Sequence, residues 1–192
     1  MLAEYKITLS PVTIESAQPD ARAMLEATQK KMGFVPNMYN AMATSPGLLK
    51  TYMEGYAAFR SKSGFSPAQQ EVVFLSISHV NGCEYCMAAH SFLADAVSAV
   101  PGEVTKAIRE GGSINNEKLG ALYTFTNIMV SKRGLPGQAD VEAFLAAGYT
   151  ENHILEIILA ISVKTISNYT NHLFHTELDD KFVTHRWDDP SA

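Results

Sequence analysis

The chain has little cysteine, with two residues, Cys83 and Cys86, in 192. That excludes the disulfide-dense secreted scaffolds, whose small cores depend on several bridges. No apolar run approaches the length of a bilayer span. Charge is sparse at 18%, with 15 Lys and Arg against 20 Asp and Glu. A net charge of -5, with Lys62, Lys132 and Arg133 scattered, gives no basic stripe for nucleic acid or an anionic membrane. Met1 to Ser10 contains Glu4 and Lys6 and has no apolar signal-peptide core, so a cytoplasmic protein is expected. Gly/Ser linkers and low-complexity stretches are absent as well, so nothing divides the chain.

What is present suits one domain over residues 1–192 with an ample core, since 46% of the residues are apolar. Capped helical patterns follow one another, and no segment alternates like a strand bounded by hairpin turns. Ile14 to Lys31 reads as an amphipathic helix closed by Gly33. Ser45-Pro46 and Ser66-Pro67-Ala68-Gln69 are start signals, the second a capping box. The helix from Ser66 runs to about His79 and stops at Asn81-Gly82. A helix over Glu84 to Ala99, a short one from Glu103, and helices from Asn116, Gln138 and Thr150 complete the series. The expected fold is an all-α multi-helix bundle, with the C-x-x-C at the start of a central helix. Residues 1–13 read as an extended lead-in and the polar tail 185–192 as loose. Tyr52, Tyr56, Phe59, Phe125 and Phe144 exceed what one small helical core obviously needs, which points to a homo-oligomer.

Chemistry concentrates in Cys83-Glu84-Tyr85-Cys86-Met87-Ala88-Ala89-His90. At about 100° per residue, Cys83, Cys86 and His90 fall at about 0°, 300° and 340°, on one helix face. In the preceding helix, Glu71 comes level with His90 across the short turn. Glu71 is flanked by Val72, Val73, Phe74 and Leu75, a setting a carboxylate tolerates only when paired or protonated. A Glu71–His90 contact would meet that need and orient the imidazole to take the Cys86 proton, directly or through a water. The helix dipole favours Cys83 as the thiolate, by about 0.3–1 kcal/mol. The base one turn away favours Cys86, and a positioned base contributes more, about 10²–10⁴-fold. The same residues allow a zinc site made by the two thiols, His90 and one of His79, His172 or His175. Tyr52, Tyr56 and Phe59 read as core rather than as a ligand box, and His172 and His175 as structural or interfacial.

Glu71, eleven intervening residues, then Cys83-x-x-Cys86-x-x-x-His90 resembles the signature of the alkylhydroperoxidase D-like branch of the carboxymuconolactone decarboxylase family. The best-fitting region is about residues 40–125. Phe34-Val35-Pro36-Asn37 and Asn81 to Cys86 resemble its uncharacterised peroxidase-related subgroup. The resemblance implies an all-helical fold, a homo-oligomer (dimer or trimer-based) and a hydroperoxide substrate. It implies a thiol or dithiol reductant and no cofactor or metal. Cys86 would attack the peroxide, Cys83 would resolve, and Glu71 with His90 would relay the proton. Where the best-studied members carry His before the second cysteine, this chain has Tyr85. The other readings are decarboxylase-like chemistry on a small cyclic acid and a redox-sensing or zinc-stabilised interaction module.

Overall fold

The computed structural model describes residues 2–189. The described residues form an all-α protein of nine α-helices and one 3-10 helix. They are α1 (Pro19–Met32), α2 (Asn37–Met42), α3 (Pro46–Lys62), α4 (Pro67–Val80), α5 (Glu84–Ala96), α6 (Gly102–Arg109), α7 (Glu117–Ser131), α8 (Gln138–Ala146), α9 (Glu151–Phe174) and the 3-10 helix Asp180–His185. Among the described residues no helix is long and apolar enough to cross a membrane.

The helix enclosed by its neighbours is α4, which packs against α5, α6, α7 and α9. Nine consecutive residues, Gln70 to Ser78, are buried. A stripe of that width reads as apolar all round, as expected of an interior helix. Its start is the capping box: Ser66 Oγ accepts from the Gln69 amide at 3.3 Å, and Gln69 Oε1 accepts from the Ser66 amide at 2.9 Å. The C-x-x-C helix, expected to be central, lies beside α4, against α6, α9 and the 3-10 helix.

Local chemistry moved several expected boundaries. The first helix begins at Pro19 rather than Ile14, because the Thr13 amide bonds to Ser16 Oγ and closes a separate turn. Ser45 stands at the N-cap of α3 without making a side-chain cap bond. Helix α5 stops at Ala96, where the Ser98 amide folds back to the Leu93 carbonyl and Ala99 turns to a positive φ of 50°. The lead-in lies along the end of α9, with Ile7 N donating to Leu173 O at 2.9 Å.

Two further expectations need correcting. Tyr52, Phe59, Phe125 and Phe144 are all internal, at 3%, 0%, 1% and 1% exposure, so they give no surplus for an interface. Phe125, Phe144 and Tyr149 stack, with ring centroids 4.2 and 4.5 Å apart. The segment from His185 is docked rather than loose. Trp187 is buried, its indole N–H donates to the Arg109 carbonyl at 2.8 Å, and Arg109 in turn donates to the carbonyls of His185 and Arg186. Residues 190–192 lie outside the described part.

Candidate active site

The turn between α4 and α5 places the first thiol. Gly82, at φ 62°, sits in the left-handed region that only glycine enters cheaply. Its amide bonds to the His79 carbonyl, and the Cys83 amide bonds to the Ser78 carbonyl, both at 2.9 Å. This is a Schellman closure of α4. Cys83 therefore ends one helix and is the N-cap of the next, while Cys86 lies inside the first turn of α5. Both thiols are free, and each is 1% exposed.

The expected Glu71–His90 contact is formed: His90 Nδ1 lies 2.8 Å from Glu71 Oε2. The other carboxylate oxygen accepts from Arg60 Nη2 and lies 3.5 Å from Ser98 Oγ. Arg60 also donates to Tyr56 OH at 2.8 Å and to Gln70 Oε1 at 3.2 Å. Burial alone would raise the Glu71 carboxyl, but His90 and Arg60 outweigh it and hold it below the usual carboxylate range. Burial and the nearby Lys164 cation lower His90. His90 is then neutral, donates through Nδ1–H, and leaves Arg60 as the charge partner of Glu71.

Helix α9 supplies what the sequence reading lacked. Asn171 Nδ2 donates to Cys86 Sγ at 3.4 Å and reaches Cys83 Sγ at 3.8 Å. Ser167 Oγ lies 3.8 Å from Cys86 Sγ. Outside the C-x-x-C turn the sulfur's hydrogen-bond partners are thus on α9; of the two routes expected to His90, directly or through a water, the direct hydrogen bond is not formed. Lys164 is fully buried, and its Nζ makes no hydrogen bond. It sits 5.6 Å from the centroid of Phe74, against which His90 also packs at 4.9 Å. Gly55 on α3 lets α9 approach this closely, since a Cβ there would meet Val163 at 2.8 Å.

The two thiols are driven apart in acidity. Burial raises both. At Cys86 a hydrogen bond from the Cys83 thiol and the charge of Lys164 prevail, and the pKa falls well below the ordinary range. At Cys83 burial and the adjacent Cys86 charge act together, so this thiol stays protonated. Lys164 acts on Cys86 through its charge rather than through a formed hydrogen bond. A buried thiolate beside a thiol can attack an electrophile and then be resolved by its neighbour.

Cys86, His90, Arg60 and Lys164 line a cavity of about 540 Å³, which Tyr39, Tyr52 and Tyr56 complete. Tyr52 and Tyr56, expected to be core alone, thus also shape the approach to Cys86. Cys83 opens instead on a second cavity of about 450 Å³ with Glu84, Asn171 and His172. A third hollow, of about 810 Å³, lies around Arg109 and His185 and holds no thiol. His175 bonds to the Ala3 carbonyl, and His79 packs on Trp187. Among the described residues no three His, Cys, Asp or Glu side chains are grouped to hold a metal ion, so the zinc arrangement has no ligand set.

Residues 46–116 match the carboxymuconolactone decarboxylase family. The matching segment runs from the start of α3 to the N-cap of α7 and contains Arg60, Glu71, both cysteines and His90. No curated protein matches the chain. Solved structures similar to it include an uncharacterized peroxidase-related protein with an alkylhydroperoxidase AhpD core from Ralstonia eutropha JMP134, at 21% identity and TM-score 0.76 over 91% of this chain and 93% of that one. An uncharacterized peroxidase-related protein from Silicibacter sp. TM1040 is similar at 18% identity and TM-score 0.74, over 92% of this chain and 95% of that one. A cysteine-to-alanine variant of the debrominase Bmp8, in complex with 2,3,4-tribromopyrrole, is similar at 16% identity and TM-score 0.76, over 94% and 96%. These likenesses show the fold alone, an all-helical one shared with the structure that has the alkylhydroperoxidase AhpD core.

Proposed function

We propose that the protein is a thiol-dependent hydroperoxide reductase. The observation that carries this reading is the Cys86 sulfur in the wall of a substrate-sized cavity, with Asn171 donating to it at 3.4 Å and Cys83 one turn away; the Cys83 hydrogen bond and the Lys164 charge favour its thiolate. The Cys86 thiolate attacks one oxygen of the peroxide. The O–O bond breaks as the neutral His90 takes the hydroperoxide O–H proton on the ring nitrogen that does not face Glu71 and returns it to the departing alkoxide, which leaves as the alcohol. Cys86 is left as a sulfenate, which water protonates to the sulfenic acid. Cys83 then attacks the sulfenic sulfur, water leaves, and a disulfide forms. A dithiol returns both cysteines to thiols and is itself oxidised to a disulfide. Arg60 and Glu71 position His90, and Lys164 balances the thiolate charge. The family match and the peroxidase-related neighbours support the chemistry in general terms.

The test is intact mass and thiol alkylation before and after one equivalent of hydroperoxide. The expected product has lost about two mass units and both alkylatable thiols, and dithiol restores them. Two free thiols that persist under peroxide would sink the reading.

The aromatic lining of the Cys86 cavity favours one second reading, reductive debromination of a small aromatic heterocycle, the activity in the name of the Bmp8 neighbour. The same dithiol would supply two electrons, bromide would leave, and a proton would take its place. Bromide release from a bromopyrrole, coupled to disulfide formation, separates the two readings. Homo-oligomerisation belongs to the proposal as well. Its support is the exposed apolar set Leu155, Ile158, Tyr169 and Leu173 on α9.

A further inference from the structure

The thiols face different hollows. Cys86 lines the cavity walled by Tyr39, Tyr52 and Tyr56, and Cys83 lines the one that holds Glu84 and Arg186. Among the described residues, Tyr85 is the one that borders both. It is a fixed wall. Its hydroxyl donates to Asp179 Oδ2, and its ring meets Phe182 edge-on at 6.1 Å and 85°. Asp179 is held from the other side by the Asn37 amide, 3.1 Å from Oδ1.

Resting on the peroxidase reading above, we propose that the dithiol is served through two separate entrances with Tyr85 as the partition. An apolar, ring-bearing hydroperoxide reaches Cys86 through the aromatic cavity. A dithiol reductant of small cross-section reaches Cys83 through the polar one. Thiol–disulfide exchange gives an independent reason for this direction. The rate depends on which sulfur leaves, and the thiol of lower pKa leaves faster. Attack on Cys83 forms a mixed disulfide there and expels Cys86, the sulfur whose thiolate Lys164 and Asn171 stabilise. The reductant's second thiol then closes its own disulfide and releases Cys83 as a thiol. Attack on Cys86 would instead expel Cys83, whose thiolate burial disfavours. The geometry thus places the reductant's entrance at the sulfur from which reduction runs downhill.

The test plugs each entrance at exposed positions, where folding is not at stake. Ala57→Trp and Met32→Trp narrow the aromatic side, and Val183→Trp and Leu2→Trp the polar side. Oxidation of the dithiol by cumene hydroperoxide and reduction of the disulfide by dithiothreitol are followed separately in stopped flow. The first pair is expected to slow oxidation by about tenfold or more while reduction holds within about twofold, and the second pair to do the reverse. Plugs that slow both half-reactions alike, or neither, overturn the two-entrance arrangement. If cumene hydroperoxide does not oxidise the unsubstituted protein, the peroxidase reading falls by itself. Access is then read from N-benzylmaleimide labelling of Cys86, located by peptide mass. Protection by Ala57→Trp but not by Val183→Trp upholds the two entrances, and equal labelling of both variants overturns them.

Discussion

Lys164→Met is the substitution that tests the electrostatics of the site most directly. Lys164 is fully buried in α9 without a hydrogen-bond partner, and both Cys86 and His90 respond to its charge. Methionine keeps an unbranched stem of similar length and removes the charge. As a general scale, two opposite unit charges about 5 Å apart at an effective dielectric constant of about 20 attract by about 3 kcal/mol. Asn171 still donates to the sulfur in the variant, so the expected rise in the Cys86 pKa is about one to two units. The measurement is thiolate absorbance and iodoacetamide rate against pH, in a Cys83→Ser background so that Cys86 alone reports. The folded pKa is depressed, so reactivity is full above it and fades as pH falls through it. In Lys164→Met that fade moves to higher pH, and Lys164→Arg restores part of the depression. A midpoint unchanged by Lys164→Met, with the circular dichroism of the folded protein intact, would refute the counter-ion role.

Three further outcomes are expected. Glu71→Gln keeps a hydrogen-bonding shape against Arg60 and His90 but removes the charge, and turnover should fall by about 10²-fold or more with the fold retained. Full activity in the folded variant would remove the relay. With Cys83→Ser, peroxide should leave a sulfenic acid on Cys86 that a sulfenate-specific reagent labels. In Cys86→Ser the remaining Cys83, whose thiol burial holds protonated, should react no faster than an ordinary cysteine, and the reverse pattern would exchange the two roles. Light scattering should report a mass above that of a 21.0 kDa monomer, and Leu155→Lys with Ile158→Lys should lower it. A monomer at micromolar concentration would remove the interface.

The sequence made the helices legible because their ends carry local chemistry. Ser66 with Gln69, Asn116 with the Leu119 amide, and Gly33 at φ 80° each act within one turn. Glu71 and His90 were legible together because one short turn brings two helices into register. What local pattern cannot carry is a partner about eighty positions away. Lys164, Ser167 and Asn171 reach the thiols from α9, where each reads as an ordinary polar residue in an apolar helix. A signal was present: Lys164 sits among Ile157, Ala160, Val163 and Ser167, on the face of α9 that the apolar pattern turns inward. A lysine on that face is expensive unless something answers its charge. Trp187 is a similar case, since a single tryptophan in a polar tail is more naturally an anchor than a free end.

The buried charges also make a statement about the oxidised protein. Arg60 answers Glu71, and His90 is neutral, so Lys164 is answered by the Cys86 thiolate. Forming the Cys83–Cys86 disulfide consumes that thiolate and strands a buried ammonium. Leaving one partner of a buried pair uncompensated is costly, by about 3–5 kcal/mol, and relaxation or water entry reduces the penalty to about 1–3 kcal/mol. The conformational effect of the disulfide itself is the same with or without Lys164 and cancels in a comparison. Lys164→Met should therefore stabilise the oxidised form relative to the reduced form by about 1–3 kcal/mol. At about 2–4 °C of Tm per kcal/mol for a chain of this size, the gap between oxidised and reduced Tm should widen by several degrees in the variant. Calorimetry on four samples, each form of each protein, reads this directly. An oxidised-minus-reduced gap that is the same in both proteins would mean that the ammonium has another partner in the disulfide state, and the charge balance drawn for the reduced site would fall with it.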